Sequence, residues 1–320
     1  MNFTHLHVHT EYSLLDGSNK IQEYVNRVKE LGMDSAAITD HGVMYGVIDF
    51  YRAARAAGIN PVLGCEVYVA PGSRFDREIG SGDDRYYHLV LLAENNQGYA
   101  NLMKIVSKSF VEGFYYKPRV DLQLLEKYHE GLIALSACLA GEVARYLTRG
   151  MYEDAKAAAL RYQDIFGKGN FFLELQDHGI PEQQNVNQQL LKMHRETGIE
   201  LVATNDVHYT LAEDAQPHDV LLCLQTGKKL SDENRMRYDG GQYYVKSPEE
   251  MERLFPYATE ALENTHKIAQ RCHVEIEFGV TKLPKFDVPQ GYTSWEYLNK
   301  LCFDGLKERY PDGDHSLKER

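Results

Sequence analysis

Predicted strands and helices alternate along the first two thirds of the chain, and this order limits the folds available to it. A helix of about ten or more residues between two strands is the crossover that a parallel sheet requires. Seven strands are predicted before residue 205, the first at the N-terminus and the others over 35–39, 61–70, 87–93, 132–136, 171–176 and 201–204. The order indicates an α/β fold, either a slightly irregular barrel or an open doubly wound sheet.

The predicted helices that join these strands cover 21–31, 47–57, 99–110, 141–166 and 182–197, with a loop rich in Gly, Ser and Asp over 71–85. No glycine-rich nucleotide-binding motif opens any of them, and this favours the barrel. A largely helical region follows, with helices over 215–225, 248–255 and 259–272, a proline-bearing linker over 282–292 and an amphipathic helix over 294–310. The last residues resemble no finished C-terminal element, so we expect a piece of a longer protein.

Composition narrows the class of protein. The 320 residues are 43% hydrophobic and 26% charged, as in ordinary globular proteins. A net charge of −12 opposes simple phosphate binding by a basic face, although bound divalent cations would reverse the field locally. No apolar run reaches the roughly 20 residues of a membrane span, and no signal peptide is apparent. Five cysteines without a CxxC pair predict reduced thiols, and we expect a cytoplasmic location.

Three histidines alternate in the first predicted strand, HLHVHT. Side chains two residues apart in a strand point to the same face, so His5, His7 and His9 would project together. Two imidazoles from such a row can hold a metal ion, while a surface strand with polar histidines is the simpler alternative.

Metal-capable side chains fall at or near the carboxyl ends of most predicted strands. Each has an ordinary alternative: a capped turn at TDHG, an ion pair for Glu66, a small buried side chain at Cys138 and a polar turn at TNDVH. Because the carboxyl ends of parallel barrel strands form one face, these residues would converge on one pocket. His88 begins its strand and fits less well. The candidates are His7, His9, Asp16, Asp40, His41, Glu66, His88, Cys138, Asp206 and His208.

The donor types of these candidates are coherent. Imidazole nitrogen, carboxylate oxygen and one thiolate suit Zn²⁺, Mn²⁺ or Fe²⁺ better than Ca²⁺. The ligands are too numerous for one ion, so two or three ions are expected, with Glu66 as a candidate bridge. Paired ions are the arrangement that supports phosphoester hydrolysis by a metal-activated water.

Six motifs resemble, in order, the polymerase and histidinol phosphatase (PHP) domain family: HLHVHT, TDHG, GCE, the histidine of YYHLVLLA, LSAC and TNDVH. The similarity runs from Met1 to about Tyr209. The flanking segments YSLLDG, GFYYKPRVD, LPKFDVP and YLNKLCFDGLKERY look like the N-terminal part of the alpha-subunit family of bacterial replicative DNA polymerase III.

The resemblance implies a distorted (β/α)₇ TIM-like barrel with a helical C-terminal extension and a trinuclear metal site. One ion would take His7, His9, Glu66 and Asp206, a second Glu66, His88 and Cys138, and a third Asp16, His41 and His208. Much of the wider family has Asp where this chain has His5, and many members have His where it has Cys138. The implied domains are 1–275, with the barrel core over 1–210, and 276–320, a linker with the truncated start of a polymerase palm.

The implied function is metal-dependent phosphodiester hydrolysis as a 3′→5′ proofreading exonuclease, with the reacting water held through His7, His9, Glu66 and Asp206. Lys117 and Arg119 are candidate phosphate ligands, or else solvated loop charges. Two alternatives stay open: a metal-stabilised scaffold that docks replication partners without hydrolysis, and a small-molecule phosphomonoesterase.

The expected partners are DNA, through the primer 3′ end, and polymerase III holoenzyme components, through the full-length protein; no membrane is expected. The fragment is expected to lack the polymerase's catalytic residues and not to extend a primer.

Overall fold

The computed structural model describes residues 2–14, 16–78 and 85–312 of the chain. The chain divides into two compact units, Met1–Glu275 and Ile276–Arg320. The first unit contains the whole sheet. Its strands, in chain order, are β1 (Ser35–Ile38), β2 (Asn60–Val69), β3 (Tyr87–Ala93), β4 (Phe114–Tyr115), β5 (Lys117–Val120), β6 (Leu132–Leu135), β7 (Phe171–Leu175) and β8 (Leu201–Ala203).

Hydrogen bonds link these strands in the order β1, β2, β3, β6, β7, β8, and the short hairpin of β4 and β5 pairs with the end of β2. The β1–β2, β6–β7 and β7–β8 pairs are parallel. This mixed, curled sheet confirms the α/β class and the distorted barrel predicted from the sequence.

The N-terminal segment closes the curled sheet. On one side the amide of Thr39, just beyond β1, donates to the carbonyl of Val8 over 2.9 Å. On the other side the amide of His9 donates to the carbonyl of Val207 over 2.8 Å, and the amide of Val207 donates to the carbonyl of His7 over 3.0 Å. Residues 5–10 form isolated bridges instead of the regular first strand that the sequence predicts, because each neighbour offers them only a few backbone partners.

One strand direction differs from the prediction of seven parallel strands. β3 runs antiparallel to both β2 and β6. The described part of the β2–β3 connection, 70–78 and 85–86, contains no helix that would carry the chain back for parallel pairing. The first residues of β3 therefore lie at the end of the barrel where the parallel strands finish.

The described residues of the first unit form ten α-helices. They are α1 (Ile21–Glu30), α2 (Val47–Ala57), α3 (Asn96–Val111), α4 (Leu122–Tyr128), α5 (Glu142–Thr148), α6 (Tyr152–Phe166), α7 (Pro181–Thr197), α8 (Ala215–Thr226), α9 (Pro248–Leu254) and α10 (Thr259–Arg271). The sequence predicts all of them except α4, which begins where the Asp121 side chain accepts a hydrogen bond from the amide of Leu124. None of the described helices combines the length and the apolar character that crossing a bilayer would require.

The helical region after the barrel is part of the core of the first unit. In α10 the Asn264 amide donates to the carbonyl of Leu201, at the start of β8, over 2.9 Å. Ile268 and Ala269 of the same helix are buried among strand residues such as Val62 and Leu135. α10 therefore packs directly on the barrel.

The second unit contains α11 (Ser294–Arg309), which begins with a reciprocal cap between Thr293 and Glu296. None of the residues of α11 is buried within the chain. The sequence predicts this helix and the linker before it. The origin of the unit as the start of a polymerase palm stays a prediction.

The fully buried Leu135 of β6 provides a test of the core. Replacing it with alanine is expected to lower the free energy of unfolding by about 2–5 kcal/mol, because it removes buried apolar surface and leaves a cavity. Urea unfolding followed by circular dichroism measures the change. The same substitution at Leu224, which is 68% exposed on α8, should change the free energy by about 0.5 kcal/mol or less. Equal effects at the two positions would contradict this assignment of the core.

Candidate metal centre

Nine of the side chains that the sequence singles out as metal ligands meet at one end of the barrel. Eight of them come from the N-terminal segment, the segment after β1, the middle of β2, the start of β3 and the turns after β6 and β8. The ninth comes from the loop before α1. They are His7, His9, Asp16, His41, Glu66, His88, Cys138, Asp206 and His208. The reversed direction of β3 explains why His88 joins them from the beginning of its strand.

The carboxylate of Glu66 lies at the centre of the group and is fully buried. Its Oε2 is 3.3 Å from His9 Nε2 and 2.6 Å from His41 Nδ1. Its Oε1 faces His88 Nδ1 at close range. One carboxylate thus reaches imidazoles from three parts of the chain, which is the position expected of a bridging ligand.

Asp206 completes a first set of ligands with Glu66, His7 and His9. Its Oδ1 lies 3.3 Å from His7 Nε2 and 3.1 Å from His9 Nε2. The Asp206 backbone has a φ of 43°, in the left-handed region that non-glycine residues seldom adopt. The strained turn after β8 therefore directs this carboxylate toward the two histidines.

Two further groups lie beside the first. In one, His41 Nε2 is 3.2 Å from Asp16 Oδ2, and the His41 and His208 rings are 5.8 Å apart. In the other, Cys138 Sγ is 3.7 Å from His88 Nδ1. Three combinations bring a ligand atom of each member within 4.8 Å of the others: His9, His41 and His208; His7, His9 and Glu66; and His41, Glu66 and His88.

Three of the imidazoles are anchored by one ring nitrogen and present the other to the cluster. His7 Nδ1 lies 2.6 Å from Glu174 Oε1, and His9 Nδ1 lies 3.2 Å from Ser13 Oγ. His208 Nδ1 lies 2.7 Å from the carbonyl of Asp206. Each Nε2 therefore faces the centre, as in histidines that bind metal while an outer partner fixes the ring.

Buried polar atoms of the cluster have no hydrogen-bond partner, although their neighbours are close. They are Nε2 of His7 and His9, both ring nitrogens of His41, both oxygens of Glu66, and one carboxylate oxygen each of Asp16 and Asp206. Unpartnered buried polar atoms are rare in folded proteins because they have lost water without a replacement. Short distances without hydrogen-bond geometry are what ligand atoms show when they face a common point, so the donor set fits divalent metal ions.

Electrostatics within the cluster also favour a bound cation. Burial lowers the pKa of His9 to about 3, and His41 and His208 act in the same direction. Burial also acts to lower the pKa of His41, but Glu66 and Asp16 outweigh it and raise the pKa to about 10. Burial, followed by Glu66 and Asp206, raises the pKa of the Cys138 thiol. The cluster cannot carry protons on every imidazole, and its thiol needs a cation to ionise at neutral pH.

Glu174 is a functional candidate that the sequence analysis missed. It lies in β7, is 3% exposed, and its Oε1 also accepts hydrogen bonds from Gln176 and Thr204. The sequence did contain a signal for Glu174, because the segment FFLELQ places one acidic residue inside a buried apolar strand. Tyr238 is a second missed residue, with its hydroxyl 3.3 Å from His208 Nε2.

Asp40 is close to the cluster without joining it. Its carboxylate accepts hydrogen bonds from the amide of Thr10 over 2.6 Å and from the hydroxyl of Ser13 over 2.7 Å. Ser13 in turn contacts His9. The TDHG motif therefore supplies one ligand candidate, His41, and one residue that fixes the loop beside His9.

Two buried residues near the cluster, His5 and Lys246, form hydrogen bonds that hold the local structure in place. His5 lies outside the ligand cluster, with Nε2 2.9 Å from the carbonyl of Lys246, and burial lowers its pKa to about 4. The Lys246 ammonium is buried and donates to the side chain of Asn205, the residue before Asp206, over 3.2 Å.

The two predicted phosphate-binding residues differ in their surroundings. Arg119 is 1% exposed, and its guanidinium donates to the carbonyls of Gly113, Arg74 and Asp76. The prediction for Arg119 is wrong, because its donors are directed at the protein backbone. Lys117 is half-buried with its ammonium 5.2 Å from the centre of the Tyr68 ring, beside the cluster, and its contact with phosphate stays a prediction.

Comparison with known proteins shows similarity along the whole chain. A family model described as PHP domain matches residues 5–178, more than half of the chain. DNA polymerase III subunit alpha of Treponema pallidum is 46% identical over 321 residues, which cover 100% of this chain and 27% of that protein. The same subunit of Thermus aquaticus is 44% identical over 321 residues, covering 98% of this chain and 26% of that protein. The chain thus spans about a quarter of the length of these relatives.

Solved structures show a more distant likeness. An amidohydrolase from Chromobacterium violaceum aligns over 65% of this chain and 88% of its own, with 15% identity and a TM-score of 0.44. A putative metal-dependent phosphoesterase from Bifidobacterium adolescentis aligns over 65% of this chain and 88% of its own, with 13% identity and a TM-score of 0.36.

Metal binding to the cluster has a thermodynamic consequence. Free Mn²⁺ or Zn²⁺ at roughly 100 times its dissociation constant is expected to raise the free energy of unfolding by about 2.7 kcal/mol, because the ligands are assembled only in the folded chain. Urea unfolding of metal-loaded and chelator-treated protein measures the difference. Identical curves, with metal shown by elemental analysis to be absent from both samples, would count against the site.

The contact of Glu174 with His7 gives a second test. A Glu174→Gln substitution is expected to weaken metal affinity about 10–100-fold, because the anchored imidazole loses its charged partner. Competition with a chromophoric chelator measures the affinity. Glu252→Gln, an equivalent change at an exposed position on α9, is the matched control and should bind metal as the unaltered chain does. Unchanged affinity in Glu174→Gln would remove the anchoring role.

Proposed function

Because the chain belongs to the PHP domain family, we propose that it is a metal-dependent phosphoesterase that removes nucleotides from a DNA 3′ end. The observation that carries the proposal is the buried cluster of unpartnered imidazole nitrogens and carboxylate oxygens at the end of the barrel. Such a mixed donor set suits Zn²⁺, Mn²⁺ or Fe²⁺, and the number of ligands suits two or three ions.

In the proposed site, the first set of ligands is His7, His9, Glu66 and Asp206, the second is Glu66, His88 and Cys138, and the third is Asp16, His41 and His208. Bound divalent ions supply a nucleophilic hydroxide at neutral pH and neutralise charge on the phosphate. The protein contributes orientation: Glu174, Ser13 and the carbonyl of Asp206 each fix one imidazole. Lys117, whose ammonium lies beside Tyr68, would attract the phosphate.

The proposed setting follows from the relatives. DNA polymerase III subunit alpha matches the whole chain at 46% and 44% identity in two bacteria. We infer that the chain is the N-terminal portion of such a subunit, and that it works in the cytoplasm beside the polymerase and its replication partners. The exonuclease would then act on a primer end that the polymerase has released. We expect primer extension to require the remaining three quarters of the relatives' length, which this chain does not cover.

The test of this function is nucleotide release from the labelled 3′ end of a mismatched primer, with Mn²⁺ or Zn²⁺ supplied. The chain is expected to release nucleotides, and His9→Ala is expected to reduce the rate about a hundredfold or more, because the metal ligands stabilise the transition state by several kcal/mol. His273→Ala, which removes an exposed histidine outside the cluster, should retain the rate of the unaltered chain.

Each result separates the proposal from an alternative. No release by a chain that demonstrably binds metal would favour the scaffold. Faster hydrolysis of a small phosphomonoester than of the DNA end would favour the phosphomonoesterase. Equal rates in His9→Ala and the unaltered chain would assign the activity to a contaminating nuclease.

A further inference from the structure

A row of aromatic rings leads outward from the candidate metal centre. The ring of Tyr86 is parallel to that of His88, with an interplanar angle of 11° and centroids 6.1 Å apart. Tyr68 lies against Tyr86 at 4.9 Å and against His88 at 5.3 Å. Gly42 of TDHG makes room for this arrangement, since a Cβ there would lie 2.8 Å from the Tyr68 ring.

Cationic side chains accompany these rings, although the chain as a whole is acidic. The Lys117 ammonium lies 5.2 Å from the centre of the Tyr68 ring. The Arg85 guanidinium lies 4.6 Å from the centre of the Tyr116 ring. No carboxylate among the described residues forms an ion pair with either cation. Positive charge of this kind attracts a phosphate backbone.

Tyr116 is an unusual choice for its position. It is the single residue between β4 and β5, its φ is 61°, and its side chain is 63% exposed. Glycine adopts this backbone conformation without strain, whereas a bulky aromatic residue does so at a cost. The ring contacts Tyr115 at 4.7 Å and Arg85, and otherwise faces solvent. An exposed aromatic ring held on a strained turn, directly before Lys117 in the chain, is positioned for contact with a ligand.

We propose that Tyr86, Tyr116 and Lys117 form a binding platform for the last nucleotides of a single-stranded DNA end. Aromatic faces stack on bases of any sequence, and a nearby cation holds the backbone, which is the combination found in sequence-tolerant single-strand binding. A small phosphomonoester would use the cation but has no chain of bases for the exposed ring. The platform rests on the proposed function and specifies its substrate as an unpaired DNA strand.

Binding of a fluorescent oligothymidylate of about ten nucleotides to the 320-residue chain, read by anisotropy with chelator present, tests the platform. Tyr116→Gly is expected to weaken binding about tenfold, because one stacked base contributes about 1–3 kcal/mol and about 1.4 kcal/mol corresponds to tenfold. This variant removes the ring while relieving the backbone strain of the turn. Tyr116→Phe keeps the ring and should keep the affinity.

Lys117→Gln tests the proposed phosphate contact independently of the aromatic ring. The slope of log affinity against log salt concentration is expected to fall by about 0.7, the value for one phosphate contact on a single strand. Tyr128→Ala is the control. The Tyr128 ring also lies close to two lysine ammonium groups, but it is on α4 and has no described ring contact to the cluster. It should bind as the unaltered chain does.

Equal affinity of Tyr116→Gly and the unaltered chain would overturn the platform, and so would an equal loss in Tyr116→Phe. Because binding is read without metal, the result does not depend on hydrolysis. Intact binding by the unaltered chain, without nucleotide release when metal is supplied, would count against the proposed exonuclease alone.

Discussion

One buried carboxylate determines how the end of the barrel is organised. Glu66 has no exposure to solvent, and such a group is costly unless charge or hydrogen bonds compensate it. Burial alone would raise its pKa, yet His88 and His41 hold the pKa well below its usual range. The imidazoles around it come from three separate parts of the chain. A negative charge at this point therefore requires the N-terminal segment, β2 and β3 to be in register, and it leaves a demand for cations that imidazoles alone do not meet.

This need for cations explains how an acidic chain could bind the proposed phosphate substrate. A net charge of −12 repels DNA at long range, whereas divalent ions among these carboxylates, together with Lys117 and Arg85, would create a local region of opposite sign. In the proposed phosphoesterase, substrate recognition would then depend on this end of the barrel, and the remaining surface could stay acidic.

The sequence predicted the barrel and the nine candidate ligands that the structure brings together, because strand–helix alternation and polar residues at strand ends are local patterns; that they bind metal stays a prediction. The sequence placed His88 among the candidates without predicting the direction of its strand. Strand direction depends on the segment that connects two strands, and residue periodicity does not show it. α4 and the hairpin of β4 and β5 are too short to give a clear pattern. Arg119 shows a different limit, since whether a guanidinium points at solvent or at backbone carbonyls depends on neighbours distant in the chain. Glu174 could have been found from its charge within an apolar strand.

The closure of the sheet by its first residues has a consequence for biosynthesis. Val8 pairs with Thr39, just beyond β1, but Val8 and His9 also pair with Val207, about 200 residues later in the chain. Pairing across such a separation is slow and costs loop-closure entropy. During translation His7 and His9 are made before β8, and their pairing with Val207 has to wait for it. The candidate metal ligands therefore come together late in synthesis, and an ion captured early would meet an incomplete set.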